Sequence, residues 1–391
     1  MPKLLQINVC LHLSTGRIAQ QIGDLAILKG WQSWVAYSSH SKTFPSKSNL
    51  IKIGDPTNAY IHYLQQRLFD NEGLVSLSAT HKLISQIKQI KPDIIHLHNI
   101  HGHFFNYPLF FKYVIDQKIP LVWTQHDCWA FTGGCMYYDS INCNKWKTEC
   151  KNCPEHRALL SDKTEKQYSL KKTLLNQINN FTLVPVSYWL EKSIRESFLK
   201  GSSIITIQNG IDVNQFHPIS PKVQDGKFRI LGCAAIWSKR KGLEDFIKLR
   251  LMLPSDFEII LVGLSAKQIR ELPSGIIGIA RTNSVEELAS LYSRADVFVN
   301  PTYSDNFPTT NLEALACGTP VITYCTGGSP EAVDEKTGIV IEQGNINALA
   351  AAVLQMREYS FSSIDCRKRV EMYFDKNKCF EKYIKLYESL I

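Results

Sequence analysis

Two carboxylates in one short stretch raise the first chemical question of this chain. In YSDNFPTTNLEALACGTPV (303–321), Asp305 and Glu313 have seven residues between them, with Pro308 where a helix can begin and Gly318 where it can end. A carboxylate accepts two hydrogen bonds and suits paired hydroxyls. The unpaired N–H groups of a helix start offer positive potential to a phosphate. Capping plus surface charge would explain either acid alone. Behind the next apolar run, PVITYC, comes TGGSPE, where Gly327 and Gly328 allow a ligand close to the backbone. Each feature is weak by itself; their order, each behind its own strand, is specific.

The amino-terminal half carries a second set. HLSTGRIAQQ places Gly16 at a helix mouth, with Ser14, Thr15 and Arg17 as donors. Ordinary capping and a solvent-facing arginine account for these equally well. HLHNIHGHFFN holds His96, His98, His101 and His103. Strand alternation puts His96 and His98 on one face, and no H-E-x-x-H pattern accompanies them, so lining a pocket is favoured over binding metal. TQHDCWAFTGGC sets His126 at the carboxyl edge of a strand with Asp127 beside it. Downstream, Cys135, Cys143, Cys150 and Cys153 are separated by seven, six and two residues. Four thiolates fit a tetrahedral structural zinc site. Reduced structural thiols and disulfides stay open beside it, disulfides being disfavoured without an export signal.

These residues need elements to hold them, and the apolar pattern supplies two series. KLLQINVC, QSWVAY, DIIHLHN and PLVWTQHD read as short buried strands, interleaved with helices at 16–30, 58–68, 78–90 and 107–117. FRILGCAAI, FEIILVGL, IIGIAR, DVFVNPT, PVITYC and GIVIEQG form a second series, in which Ser284 and Glu287 stand at capping-box spacing. Runs without strict alternation suit parallel strands covered on both faces. The expectation is α/β: two doubly wound, Rossmann-like domains facing across a cleft, at 1–185 and 186–365, with a cysteine-rich insertion at 128–153 and a terminal helix at 366–391 packing back on the first domain. The 391 residues, 44% hydrophobic and 20% charged, are ample for two cores. No apolar run is long enough to span a bilayer and no signal peptide is legible. A net charge of +8 without a nucleic-acid module argues against nucleic acid and fits phosphates or an anionic membrane surface.

SDNFPTTNLEALACGTPVITYCTGGSPEAV resembles the donor-site signature of the family-4 retaining glycosyltransferases with the GT-B fold, bacterial polysaccharide-biosynthesis type. In that resemblance Asp305 touches the donor sugar and Glu313 the ribose, while Asn306, Phe307, Gly327 and Gly328 complete the donor contacts. The family has Glu then Gly where this chain has Asp305 and Asn306. AAIWSKRKGLEDF resembles its phosphate-binding segment, so Lys241 matches the lysine that neutralises the pyrophosphate. The usual arginine is missing from the Ala235–Ile236 region, leaving Arg240 or Lys239 to compensate. The loop with Gly16 and Arg17 resembles the glycine loop facing donor phosphates and acceptor, and His126 matches the histidine that hydrogen-bonds the transferred sugar. Similar cysteine-rich insertions occur in a bacterial subgroup.

The resemblance implies a UDP- or GDP-sugar donor, no organic cofactor, and a saccharide or lipid-linked oligosaccharide acceptor. It also implies a cytoplasmic protein peripheral at the inner membrane face. A nucleotide-sugar epimerase or a non-catalytic nucleotide-sugar-binding protein of the same fold is the alternative. An oxidoreductase is disfavoured, because no G-x-G-x-x-G follows the first strand.

Overall fold

The computed structural model describes residues 1–155, 158–219, 221, 224–359 and 361–391. Two compact units divide it, Met1–Ile207 with Phe380–Ile391, and Gln208–Cys379. The first unit carries strands β1 (Lys3–Asn8), β2 (Gln32–Ser38), β3 (Asn49–Ile53), β4 (Ile94–Leu97), β5 (Leu121–Gln125), β6 (Phe181–Pro185) and β7 (Ser203–Ile204). Its helices are α1 (Ser14–Leu28), α2 (Pro56–Phe69), α3 (Leu77–Ile90), α4 (Tyr107–Gln117), α5 (Thr164–Leu175) and α6 (Tyr188–Glu196). The second unit carries β8 (Phe228–Cys233), β9 (Phe257–Val262), β10 (Ile276–Ile279), β11 (Val297–Asn300), β12 (Val321–Tyr324) and β13 (Gly338–Ile341). With them run α7 (Leu243–Met252), α8 (Ala266–Arg270), α9 (Val285–Arg294), α10 (Thr309–Ala316), α11 (Ile346–Glu358), α12 (Ser363–Tyr373) and α13 (Lys376–Glu388), the last passing from the second unit into the first.

Both sheets are parallel, ordered β3-β2-β1-β4-β5-β6-β7 and β10-β9-β8-β11-β12-β13. In each, the strand order reverses once, between β1 and β4 and between β8 and β11. Such a switch point opens a crevice at the carboxyl ends of the strands, where ligands bind in doubly wound folds. β4 and β5 are wholly buried, as their unalternating sequences require.

Local signals set many of the boundaries. Asp55 and Asn106 cap α2 and α4, each followed by a proline in the first turn. α1 stops where Gly30 turns left-handed at φ +85, with the Trp31 amide donating back to the Ala26 carbonyl. Ser284 caps α9 by accepting from the Glu287 amide, but Glu287 reaches back to the amide of Asn283 rather than of Ser284. A reciprocal capping box forms instead at Ser265 and Gln268.

Three strands escape the pattern reading. β3 is short and half polar, β6 ends in Pro185, and β7 has two residues. Because β7 pairs beside β6, the first unit continues past residue 185 to 207. Nor do all of residues 366–391 return to it. α12 stays in the second unit, where Cys366 and Val370 are buried and Arg367 donates to the carbonyls of Val213, Phe216 and Ala316. Only the segment from Phe380 onward joins the first, where Tyr387 meets His96. Among the described residues no helix is long and apolar enough to cross a membrane.

Candidate active site

The switch point of the second sheet brings the loops after β8 and β11 into contact. The loop after β8 ends in a 3-10 turn at Lys239–Lys241 and then Gly242 at φ +74. A Cβ on Gly242 would lie 2.3 Å from the Pro301 carbonyl oxygen, so only glycine lets the loops touch. Across that contact Lys241 Nζ meets Asp305 Oδ2 at 2.5 Å, both side chains about one-fifth exposed. Arg240 donates to the Ser304 carbonyl at 2.5 Å, and its own carbonyl accepts from the Tyr303 amide.

The turn after β12 closes on the same acid. Gly327, at φ +53, passes so close that a Cβ would sit 1.8 Å from the Asp305 carbonyl oxygen, which also accepts from the Gly328 amide. Asp305, Lys241, Gly327 and Gly328, scattered in sequence, are therefore adjacent.

Glu313 lies one helical turn into α10, 5% exposed, with Oε2 accepting from the Tyr292 hydroxyl at 3.0 Å. Burial, with Cys233 and Glu313 alongside, pushes that hydroxyl well above its ordinary value, so it stays a donor. Asn306 and Phe307 follow directly; both are buried, and the Phe307 ring packs 5.8 Å from that of Phe374.

At the first sheet's switch point the chemistry is carried by rings. Gln6 on β1 pairs in register with His96 on β4, and alternation sets His98 on the same side. His98 Nε2 lies 3.1 Å from Gln6 Oε1, and His98 Nδ1 lies 3.1 Å from Nε2 of His126, just past β5. His96 is bound to Thr124 and Tyr387 and is wholly buried. Burial holds His96 and His98 well below their ordinary values, and brings His126 down to about 4.

His101 behaves oppositely. Burial works against its charged form, but the Asp127 carboxylate at 2.8 Å, with Glu72 beyond, raises it. Asp127 also accepts from the Trp129 amide. His98, His101, Gln125, His126, Asp127 and Trp129 line one small pocket. Gly16 sits inside α1, where a Cβ would lie 2.5 Å from the Cys10 carbonyl oxygen. Gly16 thus lets the preceding loop come close, and Arg17 is exposed.

Among the described residues no three His, Cys, Asp or Glu side chains gather as a group able to hold a metal ion, so the expected zinc set of Cys135, Cys143, Cys150 and Cys153 is not assembled. None of the four is in a disulfide, and backbone amides bond to Cys135, Cys150 and Cys153. Burial pushes Cys135 up to about 12 and Cys150 to about 11, against the pull of the Tyr137 and Gly133 amides.

Sequence reasoning missed Lys171, fully buried on α5. Its ammonium donates to the Trp129 carbonyl at 2.6 Å and lies 3.9 Å over the indole. Burial lowers it to about 7, with Glu72 opposing. It also missed Gln6 and Tyr292, whose roles come from partners distant in sequence; only an apolar run interrupted by glutamine hinted at the first. A separate hollow of about 630 Å³ beside α12, lined by Val213, His217 and Arg367 among others, holds none of the expected site residues.

Comparison with known proteins supplies the context. The model of Glycosyltransferase Family 4 matches residues 25–215, and that of Glycosyl transferases group 1 matches 227–358. The chain is similar over 99% of its length, at 21% identity, to the whole of WcaC of Escherichia coli (strain K12), a colanic acid biosynthesis glycosyl transferase by name. Its fold matches sucrose-phosphate synthase from Thermosynechococcus elongatus with a TM-score of 0.75 at 18% identity, covering 100% of this chain and 99% of that one. Anabaena HepE in complex with UDP matches with 0.65 at 16% identity, each chain covered completely. The two parallel sheets are those of the GT-B architecture.

Proposed function

We propose that this chain, which belongs to the family-4 glycosyltransferases, transfers a sugar from a nucleotide-sugar to an acceptor hydroxyl with retention at the anomeric carbon. The single observation carrying this reading is the Lys241–Asp305 pair, held at the second switch point by Gly242 and Gly327.

A departing nucleoside diphosphate gathers negative charge on its phosphate oxygens, and a preplaced ammonium stabilises it without reorganisation. Asp305 fixes Lys241 and offers its carboxylate to sugar hydroxyls; Glu313 accepts from the ribose while Tyr292 holds it in place. His126 hydrogen-bonds the transferred sugar. In this reaction the bond from the anomeric carbon to the phosphate oxygen breaks. The bond to the acceptor oxygen forms on the same face, and the acceptor proton passes to the departing diphosphate. Asp127 is engaged by His101 and the Trp129 amide, which supports a displacement without a carboxylate nucleophile.

UDP is the first nucleotide to try, since HepE was solved with it. A lipid-linked oligosaccharide of a surface polysaccharide is the acceptor class we infer, in line with the role WcaC is named for. The net charge of +8 suits work at the cytoplasmic face of an anionic membrane.

A thermal-shift screen of nucleotide-sugars tests the donor. A ligand at 100 times its Kd stabilises by about 2.7 kcal/mol. Product NMR with the donor so found and a lipid-linked acceptor then reads the linkage: a retained anomer is expected. No shift with any nucleotide-sugar overturns the donor reading, an inverted product overturns retention, and an epimerised donor makes the protein an epimerase.

A further inference from the structure

The histidines of the first unit form a chain of hydrogen bonds whose direction can be read from one end. Gln6 is fully buried, and its Nε2 lies 2.7 Å from the Ala19 carbonyl oxygen. A backbone carbonyl only accepts, so the atom facing it is the amide nitrogen, and Gln6 Oε1 is the atom facing His98. An amide oxygen only accepts as well. His98 Nε2, 3.1 Å away, must therefore carry the proton. His98 is 1% exposed, its ring 4.1 Å from that of His96 and 5.4 Å from that of His126. A second proton there would place an imidazolium among buried rings, which burial opposes. Its Nδ1 consequently presents a lone pair, and His126 Nε2 at 3.1 Å must donate to it.

We propose that Gln6 and His98 are positioning residues that fix His126 in its Nε2–H tautomer, so that Nδ1 is its accepting nitrogen. The chain runs from the α1 backbone through β1 and the end of β4 to the end of β5, so the fold itself sets the proton. Its chemical consequence is selectivity. A ring nitrogen with a lone pair takes the O–H of a sugar and turns away phosphate oxygens, which carry no proton to donate. The tautomer stands on geometry alone; the identity of the ligand as a sugar rests on the glycosyl-transfer reading.

Nitrogen-15 NMR of histidine-labelled, ligand-free protein separates the two. Neutral imidazoles show distinct shifts for protonated and unprotonated nitrogens, and the His126 signals are those lost in His126→Asn. In the wild type we expect His126 Nε2 protonated and Nδ1 unprotonated. In Gln6→Leu, which removes the amide acceptor, the His126 signals should move toward a mixture of tautomers. The sugar-transfer rate should fall by about tenfold, the low end for partners that orient a functional histidine, with affinity for the free nucleotide unchanged. A wild-type ring protonated on Nδ1, or a His126 spectrum unmoved by Gln6→Leu, overturns the proposal. Should Gln6→Leu fail to fold, the wild-type spectrum alone decides. Absence of sugar transfer with a correct tautomer would refute the function and leave the relay standing.

Discussion

Around β1, β4 and β5 the first sheet's switch point is furnished with neutral rings and amides: Gln6, His96, His98, His126, with one ion pair, His101–Asp127, to the side. Around β8 and β11 the second sheet's switch point is furnished with an ammonium against a carboxylate, partly open to solvent. The strand orders correspond, and so do the places where loops meet. The difference lies in burial. Where side chains are sealed beneath the strand ends, charge is expensive and histidines remain neutral, suited to directional hydrogen bonding. Where loops stand at the rim, charge survives and can meet charge on a ligand. One topology, used twice, thus furnishes a neutral hydrogen-bonding cluster at one switch point and a charged pair at the other.

Removing the charge at the rim should have the largest effect. Lys241→Ala is expected to lower kcat by about 10²–10³-fold, the range for losing one donor to a developing anion. Steady-state rates at saturating donor measure it, and a wild-type rate would reduce Lys241 to a partner of Asp305.

Acid should then separate the two regions by stability. His126, at about 4, and His62, lowered to about 3 by burial and by His103, lie beneath the 6.5 of an unfolded chain. As pH falls below 6.5 the unfolded chain takes up protons that the folded one refuses. Stability is therefore full above about 6.5 and is lost down to about pH 4 for His126 and about pH 3 for His62. At about 1.4 kcal/mol per unit, His126 alone accounts for about 3 kcal/mol. His101, raised by Asp127, works the other way: its contribution is full at low pH and lost as pH rises through its folded value.

Ten of the eleven histidines and six of the seven tryptophans fall within residues 1–207, so urea melts followed by tryptophan fluorescence report chiefly on that unit. A lower midpoint at pH 4.5 than at pH 7 is expected, and equal midpoints would break the contrast.

The mildest change sharpens the second site. Glu313→Gln keeps an acceptor for Tyr292 and removes one charge. Nucleotide affinity should weaken about tenfold, or about 1.4 kcal/mol, in titration calorimetry. An unchanged Kd would remove Glu313 from ribose binding.

Much of this is legible in the sequence alone. Strand sequences such as DIIHLHN and PVITYC are buried runs whatever their partners, and the acid spacing around α10 is local. Asp305 was legible as an acid behind a strand, but not as the partner of Lys241, 64 residues away. Phe307 matches a donor contact of the family signature, and only the position of Phe374 shows where its ring packs. The spacing of the four cysteines suits a metal, while among the described residues no group able to hold one is found.

What the sequence by itself determined is the alternation of buried strands and helices, because periodicity and caps act within a few residues. With it came the likeness of the 304–333 stretch to a donor signature. What only the tertiary structure decided is the set of pairings across distance. Gln6 selects the proton of His98 from 92 positions away, Lys171 lies over the Trp129 ring, and Gly327 presses on Asp305. Such contacts follow from strand order and loop approach, and a parallel sheet joins residues by crossover rather than by neighbourhood in the chain.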